Sequence, residues 1–258
     1  MDVIAVALLT FFAVGYFVLA GADIGVGMVL PFLGRRPGER RLVIASFGPF
    51  FLANEVWLVG TAGLLVGFFP NLEGKLLTGL FPAVVCLLLG WICRDLGLWL
   101  RGRMNARPWW WCCDAAIVAG SWTVALSWGW IAASVLGQSS AAVASGPGTV
   151  LAALTVASLF VLHGLAYATL RLSGELRSRA RALSGPAGEV RTYILTSAGL
   201  VALTVGMGFR LPLLDSAADS ATLQLLVPAV VLLTPFLLLS QILVWLVCGG
   251  RVTWPSYL

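Results

Sequence analysis

The chain has 258 residues, 60% of them hydrophobic and only 10% charged, with a formal net charge of +5. Mean hydropathy is +0.97, more apolar than any soluble core of this length requires. Several apolar runs exceed the ~20 residues that cross a bilayer as a helix and lack the polar alternation of a transmembrane barrel, so a soluble domain and a β-barrel are both excluded.

Taken in chain order, the pattern predicts an all-α, polytopic transmembrane protein forming a single integral membrane domain over 1–258. Seven spans are expected, at about 3–33, 42–69, 72–100, 111–137, 148–171, 190–213 and 222–248, with counts of six and eight as the alternatives. The first run follows Asp2 instead of a basic segment and is long, so it reads as a retained span and not a cleavable signal peptide. Gly21, Gly25 and Gly27 suit close packing or local flexibility, Pro31 lies near the end of that run, and Pro49 predicts a kink in the second span. Trp109, Trp110 and Trp111 follow Pro108 as an interfacial belt.

The loops set an orientation. Thirteen arginines fall in the loops after spans one, three and five and after span seven, while the opposite side holds Lys75 and Arg210. Basic residues collect in cytoplasmic loops, so the N terminus is expected outside and the C terminus inside. The positive charge therefore reports topology and gives no reason to expect nucleic acid as a partner. Residues 172–189 read as a short amphipathic cytoplasmic connector, able to touch anionic headgroups or simply to be solvated. The five cysteines have no zinc or iron–sulfur spacing and His163 is the lone histidine, so no metal site, haem ligand set or other cofactor site is expected in this chain.

Asp23, Glu55 and Arg94 are charges that stand inside the apolar runs. An ionised group in hydrocarbon costs a few kcal/mol or more, so each must face protein, water or a partner charge. Counted at ~1.5 Å per residue along their helices, Asp23 and Arg94 come to similar depth and are expected to form a buried charge pair. Glu55 has two readings: a carboxyl that loads and unloads protons, or a helix–helix contact with Asn54 and Trp57 beside it. No nucleophile–base set or phosphate loop is present, so no catalytic residue is assigned.

These charges sit in stretches that resemble the subunit II family of the cytochrome bd quinol oxidases. The likeness is carried by Gly15-Tyr16-Phe17-Val18-Leu19-Ala20-Gly21-Ala22-Asp23-Ile24-Gly25-Val26-Gly27-Met28, Leu30-Pro31-Phe32-Leu33-Gly34, Glu39-Arg40-Arg41, Gly48-Pro49 and Asn54-Glu55-Val56-Trp57-Leu58. Arg94, Arg101-Gly102-Arg103, His163-Gly164 and Gly174-Glu175-Leu176-Arg177 extend it. The resemblance implies a haem-poor accessory subunit of a quinol:oxygen oxidoreductase. A haem-bearing subunit I would be the partner and carry haems b and d, and membrane lipid, a quinone and small single-helix subunits are compatible with such an assembly.

It further implies that Glu55 belongs to a proton route, that residues 1–137 form a first four-helix bundle, and that 148–258 form a second half reduced by two helices from the family's nine spans. Leu52, Ala20 and Trp99 stand where the family carries acids. Those losses keep a second reading open: a divergent relative acting as a scaffold or a quinone- or lipid-binding partner in a complex without oxidase activity. A stand-alone transporter using Asp23 or Glu55 is the third reading, without a broken-helix repeat to support it.

Overall fold

The computed structural model describes residues 1–137, 143–185 and 188–254, and the described residues are helical with no strand. The helices are α1 (Asp2–Met28), α2 (Leu30–Leu33), α3 (Pro37–Phe47), α4 (Phe51–Phe68), α5 (Pro70–Gly79), α6 (Phe81–Leu100), α7 (Arg107–Leu136), α8 (Pro147–Arg171), α9 (Gly174–Ser184), α10 (Glu189–Arg210) and α11 (Ser220–Cys248). Seven of them, α1, α4, α6, α7, α8, α10 and α11, are long and apolar enough to cross a membrane. The chain is therefore an all-α polytopic membrane protein.

Two predicted spans are divided. The run at 42–69 breaks at Gly48–Phe50 into α3 and α4, a full interruption in place of the expected kink, because Pro49 has no N–H to continue the ladder. The run at 72–100 separates at Leu80 into α5 and α6, with Pro82 in the first turn of α6. Proline recurs in the opening turn of α3, α5, α7 and α8, where its missing N–H costs nothing. Span one ends sooner than expected, at Met28, and Val29 separates it from the short turn α2.

α1 lies at the centre and packs on α4, α7, α8, α10 and α11, while α6 packs chiefly on α7. The approach of α1 to α8 is unusually close. A Cβ on Gly25 would overlap the Phe160 carbonyl, and one on Gly164 would overlap the Gly25 backbone. Only glycine fits at that crossing, as expected where dispersion rather than the hydrophobic effect holds helices together. α11 is peripheral: Leu223, Val227 and Gln241 are its buried residues.

One end of the bundle is tied by arginines. Arg171, at the end of α8, donates to the Cys248 and Gly250 carbonyls and to the Ser46 carbonyl at 3.3 Å. It thereby satisfies carbonyls that the end of α11 leaves without a helical partner. The connector forms α9, with Leu176 and Ala180 buried against the bundle; its residues 186–187 lie outside the described residues. Arg179 on α9 donates to Glu39 on α3 at 2.7 Å and also engages Glu175. Glu39 accepts the backbone N–H of Arg35 as well, at 2.8 Å. The Arg179 hydrogen bond, with help from the backbone donors, holds the Glu39 carboxyl down at about 2.

Two outcomes follow from these contacts. Gly25→Ala should lower the thermal midpoint of the purified protein by overpacking, a cost of about 1–3 kcal/mol, whereas Gly63→Ala, which meets nothing within 4 Å, should leave it unchanged. Glu39 has a depressed folded value, so its contribution is complete above the unfolded value of 4.5 and is lost only as pH falls towards about 2. The stability gap between wild type and Glu39→Gln should therefore stay constant from about pH 6 to 8. A gap that closes within that window, measured by thermal unfolding, would contradict the pairing.

Candidate functional site

The intramembrane charges gather around α4. Successive residues of a helix turn by about 100°, so neighbours address different faces. Asn54 faces α1 and α11, whereas Glu55 faces α6.

On the first face, Asn54 Nδ2 donates to Asp23 Oδ2 at 2.6 Å and to the Leu19 carbonyl at 3.3 Å. Gln241 Nε2, from α11, donates to Asn54 Oδ1 at 2.9 Å, and Trp57 Nε1 donates to Gln241 Oε1 at 3.2 Å. A chain of four side chains, Asp23–Asn54–Gln241–Trp57, thus crosses three helices. Asp23 is 1% exposed, and its Oδ1 is buried without a hydrogen-bond partner.

On the second face, Arg94 Nη1 donates to Glu55 Oε1 at 3.1 Å and to Asp95 Oδ1 at 3.2 Å. Arg94 is 3% exposed and its Nε and Nη2 are buried without partners. The Asp95 side chain is less enclosed, 20% exposed against 10% for that of Glu55. Because α4 packs mainly on α1 and α6 mainly on α7, this trio joins two helix pairs.

The expected Asp23–Arg94 pair is therefore corrected. Arg94 pairs with Glu55 and Asp95, and Asp23 is held by an amide. Equal depth brought the residues to one height, but the faces they occupy direct Asp23 to Asn54 and Arg94 to Glu55. Asp95 escaped the sequence reading, although an acid beside the sole arginine of an apolar span was a visible signal. Gln241 escaped it too, as an amide deep in α11. Asp114, near the start of α7, was also passed over; it accepts from Arg40 at 3.1 Å and from Arg101 at 2.5 Å.

Of the three positions where an acid is absent, Leu52 and Trp99 face outward and Ala20 is buried. Asp95 supplies a second carboxyl to Glu55 from α6 rather than from α4. His163 packs fully buried, with Nε2 2.9 Å from the Val18 carbonyl, Nδ1 2.8 Å from Thr196 Oγ1, and its ring stacked on Tyr193. Both ring nitrogens are thus engaged. Among the described residues no group of three or more His, Cys, Asp or Glu is placed to hold a metal.

Removing the cation tests the second face. Arg94→Gln leaves two acids together without their guanidinium and should cost about 3–5 kcal/mol, read as lower yield and thermal midpoint. Arg94→Gln combined with Glu55→Gln and Asp95→Asn should recover part of that loss. No recovery would mean that Arg94 acts by packing alone.

Comparison with known proteins places this geometry in a family. The profile of the family described as cytochrome bd terminal oxidase subunit II matches residues 1–214. The cytochrome bd ubiquinol oxidase subunit 2 of Bacillus subtilis is 33% identical over 208 residues, covering 76% of this chain and 62% of the relative. The cytochrome bd-I ubiquinol oxidase subunit 2 of Escherichia coli K12 is 28% identical over 201 residues, covering 72% and 53%. A probable cytochrome oxidase subunit 2 of Haemophilus influenzae is 26% identical over 185 residues, covering 66% and 49%. The chain thus spans between 49% and 62% of the length of these relatives. Extended across most of its residues, the match shows that the chain belongs to the cytochrome bd terminal oxidase subunit II family.

Proposed function

We propose that this chain is the haem-poor accessory subunit of a bd-type quinol:oxygen oxidoreductase in a bacterial cytoplasmic membrane, and that Glu55 with Asp95 forms a proton-loading station within it. Family membership supports the first part. The observation that carries the second is the sharing of one guanidinium by two carboxyl groups inside membrane-crossing helices.

Charge counting shows what the trio can do. Fully ionised, Glu55, Asp95 and Arg94 carry one net negative charge, and one proton makes them neutral. A site that alternates between those states takes up a proton without moving a helix. The more open Asp95 is the side from which a proton arrives, and Glu55 is the deeper station. The unpartnered Asp23 Oδ1 and Arg94 Nε and Nη2 are groups to which bridging water can bond, extending the polar chain.

The partner would be a haem-bearing subunit I that holds haems b and d and carries out the electron transfer. The outward faces of α4 and α6 around the trio, including Leu52, Val56, Ile92 and Leu96, are apolar and suit a neighbouring helix or lipid. The thirteen arginines in the loops that would face the cytoplasm support an N terminus outside and a C terminus inside. Residues 1–137 would serve as the first four-helix bundle and 148–258 as a reduced second half.

Gentle detergent purification should recover the chain with a larger partner that shows haem absorbance and consumes oxygen with quinol. Glu55→Gln should lower that oxygen uptake by about 10-fold or more, the scale of a lost acid–base group. Asp23→Asn should alter its proton dependence far less. Equal uptake for Glu55→Gln and wild type would remove Glu55 from proton transfer, and a haem-containing complex without quinol-driven uptake would assign the chain to a scaffold role.

A further inference from the structure

The arginine-tied end of the bundle holds a feature that the proton-loading trio does not use. A cavity of about 380 Å³ opens between the start of α3 and the segment joining α6 to α7. Arg41, Arg101, Asn105, Met104 and Trp110 line it, together with Pro37 and two glycines, and no acid stands on its wall.

The charge behind that wall is unbalanced. Arg101 is 4% exposed and donates Nε to Asp114 Oδ1 at 2.5 Å. The same carboxylate accepts from Arg40 Nη1 at 3.1 Å. Two guanidinium groups therefore share one carboxylate, which leaves one positive charge uncompensated beside the cavity. Arg41, on α3, adds a second charge, and its side chain makes no ion pair or hydrogen bond among the described residues, while Arg103 and Arg107 are exposed on the same side of the cavity. The shape is preformed: Trp109 Nε1 donates to the Leu100 carbonyl at 2.7 Å, tying the start of α7 to the end of α6, and Trp110 Nε1 donates to the Met104 carbonyl at 2.9 Å, tying the segment to α7.

We propose that this cavity binds a phosphate group, and that an anionic phospholipid supplies it. Arginine forks match phosphate oxygens in pairs, and one phosphodiester charge neutralises the surplus guanidinium. Asn105 has an amide to add a further donor. The location favours a lipid over a soluble phosphate. The cavity lies where two membrane-crossing helices, α6 and α7, end and begin, and the paired tryptophans beside it are residues of the membrane interface. Met104 and Trp110 give the wall an apolar side for the glycerol and the first acyl carbons. Bound there, the headgroup would bridge α3 to the α6–α7 segment.

The test uses the purified assembly, stripped of native lipid in detergent and placed in nanodiscs of phosphatidylglycerol or phosphatidylcholine. Lipid retained after return to detergent is counted by native mass spectrometry, with and without glycerol 3-phosphate as the soluble phosphate. Phosphatidylglycerol should be retained and phosphatidylcholine lost. Arg41→Gln should reduce retention about fivefold, the effect of one arginine near an anionic group, at an unchanged thermal midpoint; Asn105→Leu should act in the same direction. Equal retention of the two lipids, or full retention by Arg41→Gln, would overturn the site. Loss of phosphatidylglycerol to millimolar glycerol 3-phosphate would overturn the lipid as the source of the phosphate.

Discussion

Arg94 held between Glu55 and Asp95 is the contact on which the membrane part of this molecule turns. A guanidinium within an apolar span is tolerable only if carboxylates meet it, and a carboxylate there needs the guanidinium in return. That mutual need fixes the rotation of α6 about its axis, because Arg94 must turn inward to meet Glu55 on α4 while its neighbour Asp95 still reaches the same guanidinium. It fixes α4 as well, because Glu55 must face α6 while Asn54 faces α1. Two consecutive polar residues on one helix thus set its angular position from both sides.

The central helix shows the same division of labour by face. Gly25 lies against α8 and Asp23, two residues earlier, lies against α4. Residues two apart on a helix are about 200° apart around it, so the packing face and the polar face are nearly opposite. The glycine crossing brings α8 close, and the amide of Asn54 seals the other side. Asp23 is enclosed by protein for that reason, with no cation needed in direct contact. The same close crossing leaves His163, one residue before Gly164, in hydrogen-bonding range of the Val18 carbonyl on α1.

Much of this was legible in the sequence, and the misses have a common cause. Length and hydropathy located all seven crossing helices, and proline and glycine marked their limits, although Pro49 was read as a bend where it makes a break. The charged residues Asp23, Glu55 and Arg94 were visible as exceptions in apolar text. Their pairing was not, since counting residues along a helix gives height and leaves the direction around the axis unknown. Asp95 stands directly beside Arg94, and sequence adjacency alone does not show that both it and Glu55 reach the same guanidinium. Asp114 sat close enough to a span boundary to look like an ordinary interfacial acid, and only the fold brings Arg40 and Arg101 to it. Several arginines counted for topology, among them Arg101, Arg171 and Arg179, also tie the fold together, so one composition signal carried two kinds of information.

The attachment of α11 shows why polar contacts dominate such a structure. Its side chains are almost all apolar, yet few are buried against the other helices. In lipid an apolar helix gains nothing by leaving acyl chains for equally apolar protein. What holds α11 is instead a set of hydrogen bonds along its length. At one end the Ala218 N–H, just before the helix, donates to the Phe68 carbonyl; within it, Gln241 bonds Asn54 and Trp57; beyond Cys248, Arg171 gathers the last carbonyls. Each of those groups would be costly to leave unsatisfied in hydrocarbon, so each bond specifies position as well as adding stability. The outward face of α11 stays free for lipid or a neighbouring subunit, and the same bonds couple its placement to Asn54 and, through Asn54, to Asp23.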